Sequence, residues 1–184
     1  LRDPALNKIV NIVDIEQWYY HSKGLFAPPG GMNLAPRQYE RSVRTGKITF
    51  SNVYQSVNEY RKAYPDKAVV YYAKAYPQEA WAVLMAGGSC PEIPVRDVAF
   101  LKDAASMTIA SHQNGVYLLR NIKGNALIYT DEGSKSAKFD IPAGLYRLSK
   151  VNDKTGTIEF DKKITVKSGF EVKDKGVFWL QKIK

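Results

Sequence analysis

Residues 8–20, KIVNIVDIEQWYY, decide how this chain reads. The apolar run from Ile9 to Ile15 predicts a mostly buried strand over residues 8–16, followed at once by an aromatic cluster. A strand alternates its faces, so Ile12, Asp14 and Glu16 share one face while Val13, Ile15 and Gln17 share the other. Both carboxylates therefore stand together at the strand's C-terminal end. Burying an ionisable group among Ile and Val costs on the order of several kcal/mol unless it is paired, hydrogen-bonded or open to a cleft. The pattern fits a site furnished to handle a sugar, and it equally fits ion pairs that order a rim.

Downstream, Gly24 to Pro36 reads as a loop dense in Gly and Pro, and Pro36 suits the first turn of a short helix through Arg44. Thr49 predicts the N-cap of a second helix, FSNVYQSVNEYRKAY, whose Val53, Val57, Tyr60 and Tyr64 recur at helical spacing. Pro65 and Asp66 stop it. A second strand follows from Lys67 to Ala75, then a short apolar helix from Gln78 to Ala86 ended by Gly87 and Gly88. Strand, helix, strand, helix implies parallel strands joined by helical crossovers, as in a doubly wound sheet or a barrel. Two parallel strands alone leave both edges and one face bare. Residues 1–93 are therefore expected to be the tail of a (β/α)8 barrel whose earlier units precede Leu1. A small α+β unit is the other arrangement the order allows.

After CPEIP the helical period gives way to short alternating segments about ten residues apart: VRDVAFL, ASMTIAS, GVYLLRN, ALIYTD, AKFDI, LYRLSKV, TIEFD, KITV and VFWLQKI. Turn signals such as QNG, KGN, PAG and NDKTG separate them. Residues 94–184 are expected to form a small antiparallel β-sandwich. This half holds 16 Lys plus Arg against 10 Asp plus Glu, hence +6 of the chain's formal +9, placed mainly in turns and on edges. No dense basic tract interleaves with aromatics, which argues against a nucleic-acid partner.

Cys90 is the sole cysteine, so no internal disulfide forms, and its surroundings, GGSCPEIP, predict a small packed residue rather than a nucleophile. His21 and His112 lie far apart and outside any metal-binding pattern, so neither a metal nor another cofactor is expected. No run is long and apolar enough for a membrane-spanning helix.

Three segments read together, DIEQWYY (14–20), GGMNLAPRQYERSVRTGK (30–47) and YPDKAVVYYAKAYPQEAWAVLMAGGSCPEIP (64–94), resemble the C-terminal part of glycoside hydrolases common in gut-type Bacteroidetes, in which a (β/α) barrel is followed directly by a β-sandwich. The resemblance covers roughly residues 8–95. It implies an extracytoplasmic protein, periplasmic, surface-bound or secreted, acting on plant or host polysaccharide, with a sandwich that braces the barrel and contacts glycan. A non-catalytic carbohydrate- or matrix-binding module is the alternative.

Glycoside hydrolysis generally uses two carboxyl groups about 5 to 5.5 Å apart for retention or about 6.5 to 9.5 Å for inversion. Strand rise puts the Cα atoms of Asp14 and Glu16 roughly 6.5 to 7 Å apart, which fits both. These two are the candidate catalytic acids, one of them expected to work with an acid upstream of Leu1, since barrel sites draw on several strand ends. Trp18 and Tyr19 could lie flat against a sugar ring, with His21 reaching its hydroxyls; aromatics after a strand also serve as core lids. Asn33 and Arg37 of the GGMNLAPRQ loop, and Tyr76 and Trp81 after the second strand, complete the candidate substrate contacts. Glu79 suits the first turn of a helix as well as it suits an acid role. On the last strand, Phe178 and Trp179 point to opposite faces, so one is expected in the core and one partly exposed.

Overall fold

Pro4 has the fixed φ and missing N–H that suit the first turn of a helix, and the chain coils there into α1 (Pro4–Ile9). The far end of this helix is held by Lys67, almost fully buried, whose Nζ donates to the carbonyl oxygens of Asn7 (2.7 Å) and Val10 (2.6 Å). A cation at a helix C-terminus satisfies both the open carbonyls and the dipole. Lys8 and Ile9, read from sequence as strand, therefore belong to α1, and the strand β1 is Ile12–Glu16. The computed structural model describes residues 4–16, 19–21, 25–27, 49–72, 79–131, 134 and 136–183. For Leu6, Glu16, residues 19–21 and 25–27, and Tyr72 it describes the backbone alone. The predicted helix from Pro36 to Arg44 lies outside these residues.

The chain divides into two compact units, Leu1–Glu92 and Ile93–Lys184. In the first, β1 is followed by an antiparallel pair, β2 (Tyr19–His21) and β3 (Leu25–Ala27). Then α2 (Phe50–Ala63) opens at Thr49, whose hydroxyl accepts from the Asn52 backbone N–H at 3.2 Å. Val53 and Val57, one turn apart, are fully buried, worth roughly 1.5 to 3 kcal/mol each relative to exposure. The helix leads into β4 (Ala68–Tyr72), which pairs in parallel with β1, Ile12 opposite Ala68 through Glu16 opposite Tyr72.

Next comes α3 (Glu79–Met85), every residue of which is buried. Its end is a Schellman turn: Gly88 N–H donates to Val83 O (2.8 Å) and Gly87 N–H to Leu84 O (2.9 Å), with Gly87 at φ 72°. Gly88 is required for closeness, since a Cβ there would lie 2.6 Å from Val83 Cγ1 and 3.0 Å from Val57 Cγ1. Ser89 N–H then donates to Val69 O of β4 (2.6 Å), fastening the segment after α3 to the strand. Cys90, expected to be packed, is exposed, because the chain turns outward there with Cys90 at φ 50°.

The second unit begins with a helix where the sequence predicted a strand. Asp97 caps α4 (Val98–Ala105) by accepting from Phe100 N–H at 2.8 Å, and Phe100 and Ala104, one turn apart, are its buried positions. The chain continues as β5 (Thr108–Gln113), β6 (Val116–Arg120), β7 (Ala126–Thr130), β8 (Ala137–Phe139), β9 (Gly144–Val151), β10 (Ile158–Val166), β11 (Phe170–Val172) and β12 (Gly176–Lys182). Six of these form one antiparallel sheet in the order β10-β9-β12-β7-β6-β5, and β11 pairs antiparallel with β8. TIEFD and KITV, predicted as two strands, are a single strand, β10, while β11 lies in a stretch not predicted as strand at all.

One apolar cluster joins the two sheets: Leu118, Ile128, Tyr146, Leu148 and Phe178 from the larger meet Phe139 and Val172 from the smaller. The arrangement is compatible with a β-sandwich. Tyr146 donates from within it to Pro142 O (2.9 Å), and burial pushes its hydroxyl pKa upward. On the opposite face of the larger sheet, Trp179 meets Phe100 of α4 edge to face, ring centres 5.3 Å apart. Phe178 and Trp179 are thus both buried, because α4 covers the face that sequence left open. Asp103 of α4 accepts from Trp179 Nε1 (2.7 Å) and from the side-chain amides of Asn121 and Asn125 (2.8 Å each), tying the helix to β12 and to the β6–β7 turn.

Candidate functional site

The parallel pair β1–β4 has two unlike faces. Val13, Ile15, Val69 and Tyr71 are buried on one. On the other, Ile12 is 59% exposed at the base of β1 and Asp14 is exposed one step toward its carboxyl end, with Glu16 following in the same register. Among the described residues Asp14 has no ion-pair partner. An apolar base with an acid above it, at the carboxyl ends of parallel strands, is an arrangement that can present a carboxylate to a ligand.

Tyr19 and His21 sit at the two ends of β2, opposite Ala27 and Leu25 of β3. Trp18, Asn33, Arg37 and Tyr76 lie outside the described residues. Trp81 is a correction: it is wholly buried in α3, a packing side chain on which no sugar ring can lie. Glu79 is likewise buried, at the first residue of the same helix.

A second candidate, absent from the sequence reading, is an open groove of about 610 Å³ in the second unit, between the far part of β10 and β11. Leu148 and Phe178 of the core reach its lining, Phe160 and Phe170 contribute rings, and Lys162, Lys167 and Lys173 bring ammonium groups. Strand alternation explains the first three β10 positions: Phe160, Lys162 and Ile164 share the face that ends in buried Val166. Lys162 Nζ stands 5.4 Å from the centre of the Phe160 ring, within cation–π range. The acids beside it are held elsewhere. Asp161 accepts from Arg147 Nε at 2.5 Å, and that hydrogen bond, with the guanidinium charge, keeps its carboxyl below the usual range. Glu159 is held low by hydrogen bonds from Lys150 and Asn152. Glu171 pairs with Lys173 at 3.5 Å. Among the described residues Lys162 and Lys167 have no carboxylate within 4.0 Å.

The signal that could have found this groove is IEFDKKITV read as one strand, with an aromatic and a lysine on the same face two residues apart. Among the described residues no group of three or more His, Cys, Asp or Glu side chains is placed to hold a metal ion, and no helix is long and apolar enough to cross a membrane.

Comparison with curated proteins and with solved structures finds no match. Residues 1–107, more than half of the sequence, match a family described as a domain of unknown function, DUF6298, and the chain belongs to that family.

Proposed function

We propose that this chain is part of a glycoside hydrolase: β1 and β4 are neighbouring strands of a (β/α) barrel, Asp14 and Glu16 serve at its carboxyl-end rim, and the second unit is an accessory β-sandwich that contacts polysaccharide. The observation that supports it is the exposed face of β1, with apolar Ile12 at its base and Asp14 toward its carboxyl end. In a barrel, such a face turns inward: the apolar layer meets its counterparts from other strands, and the acid reaches the mouth where substrate binds. One carboxyl group would protonate the leaving oxygen while another attacks the sugar or activates water. The resemblance of residues 8–95 to barrel hydrolases points the same way and implies an extracytoplasmic location.

The test is hydrolysis by the protein that carries this chain, measured as reducing ends released from a panel of plant and host polysaccharides. Asp14→Asn or Glu16→Gln is expected to lower release by about 10²- to 10⁴-fold while leaving Tm unchanged. Undiminished release by both variants removes these acids from the mechanism. The groove at Phe160 and Phe170 favours a second reading, a non-catalytic carbohydrate-binding module. Its signature is a rise in Tm with oligosaccharide and no hydrolysis.

A further inference from the structure

We propose that the groove between β10 and β11 is a binding site for acidic sugars, taking a uronate-bearing stretch of polysaccharide. This rests on the glycan-handling reading above and names the class of ligand. Size comes first: about 610 Å³ lies within the range of roughly 300 to 1,000 Å³ typical of small-ligand sites. Chemistry comes next. Phe160 is 40% exposed in mid-strand although an edge strand has many polar alternatives for that position, and Phe170 stands partly exposed on β11. Two such rings offer flat apolar surface to the C–H faces of sugar rings. Lys162 and Lys167 bring charges uncommitted to any carboxylate among the described residues, and Lys162 lies over the Phe160 ring, so apolar and cationic contacts are offered at one place.

The mixed lining selects among polyanions. Glu171 and Asp174 stand among the lysines. The phosphodiester backbone of DNA carries a charge at every step and no hydrogen-bond donor of its own, so it meets those carboxylates only as repulsion. Each residue of a uronate chain carries ring hydroxyls beside its carboxylate, so the carboxylates suit Lys162 and Lys167 while the hydroxyls can donate to Asp174. An acidic peptide could use the lysines but has no flat C–H faces for both rings.

The experiment is calorimetric titration of the full 184-residue chain with oligogalacturonate, against a neutral cello-oligosaccharide, oligoglutamate and oligothymidylate of equal length. Oligogalacturonate is expected to bind best, and Lys162→Gln and Phe160→Ala each to weaken it by about tenfold. Both positions are exposed, so Tm should hold. The proposal is overturned if oligogalacturonate does not bind, if both variants bind it unchanged, or if oligoglutamate or oligothymidylate binds as tightly. Failure here alongside Asp14-dependent hydrolysis removes the acidic-sugar site and leaves the hydrolase standing. Binding here without any hydrolysis supports the site as part of a binding module.

Discussion

Asp103 accepts three side-chain hydrogen bonds, from Trp179, Asn121 and Asn125, at the junction of a helix and a sheet. Removing the carboxylate takes away the acceptor of the Trp179 indole N–H, on a residue only 4% exposed, and a buried unsatisfied donor costs about 1 to 3 kcal/mol. Asp103→Ala is therefore expected to lower the unfolding free energy of the second unit by about 3 kcal/mol in urea titration, with a smaller loss for Asp103→Asn. A loss near zero for Asp103→Ala would mean that water takes over the donors. Nothing in FLKDAASM singles out this aspartate: it resembles any solvated charge on a helix, and its partners lie 18 to 76 residues away in sequence. The place of Asp14 on the exposed face of β1 was legible because strand alternation is local; the bonds of Asp103 were not, because its partners come from the fold.

Among elements, α2 and α3 were readable because their stop and start signals are local: Thr49 capping the one, Gly87 and Gly88 ending the other. The close approach at Gly88 also makes a prediction. Gly88→Ala must push a methyl group against Val83 and Val57, both buried, and is expected to cost about 1 to 3 kcal/mol, read as a fall in the denaturation midpoint. The misread elements share a cause. VRDVAFL alternates well enough for a strand, and only the Asp97 cap with Phe100 and Ala104 on one face marks the helix. The DKK within β10 reads as a break, yet an edge strand exposed along most of its length accommodates charges.

Those charges give the β9–β10 hairpin a pH dependence. The folded-state pKa values of Asp161 and Glu159 lie below the ordinary values of 3.8 and 4.5, so the folded hairpin binds fewer protons than the unfolded chain. The stabilisation is complete above those ordinary values and is lost as pH falls through the lower folded ones. Protection factors for amide exchange along β10, taken against the intrinsic rate at each pH, should fall on acidification below about pH 4.5, less so in high salt. Asp161→Asn should flatten that dependence; an unchanged profile would assign it to other groups.

For the whole molecule, the sequence conveyed the mixture of a helix-and-parallel-strand half with an antiparallel half, because hydrophobic period changes visibly after CPEIP. It did not convey that α4 packs on the second face of the larger sheet at Trp179, which follows from the misread helix. Nor did it convey the groove, which depends on two strands, β10 and β11, that sequence split or passed over.

One pair of buried side chains reaches beyond packing. Trp81 lies in the interior of the first unit and Trp179 in that of the second, its indole bonded to Asp103. Each unit therefore carries its own fluorophore in apolar surroundings. With Trp18→Phe in both, Trp81→Phe and Trp179→Phe each keep a single buried indole, and each is expected to emit from a blue-shifted maximum. Their red shifts during denaturation then time the opening of one unit apiece.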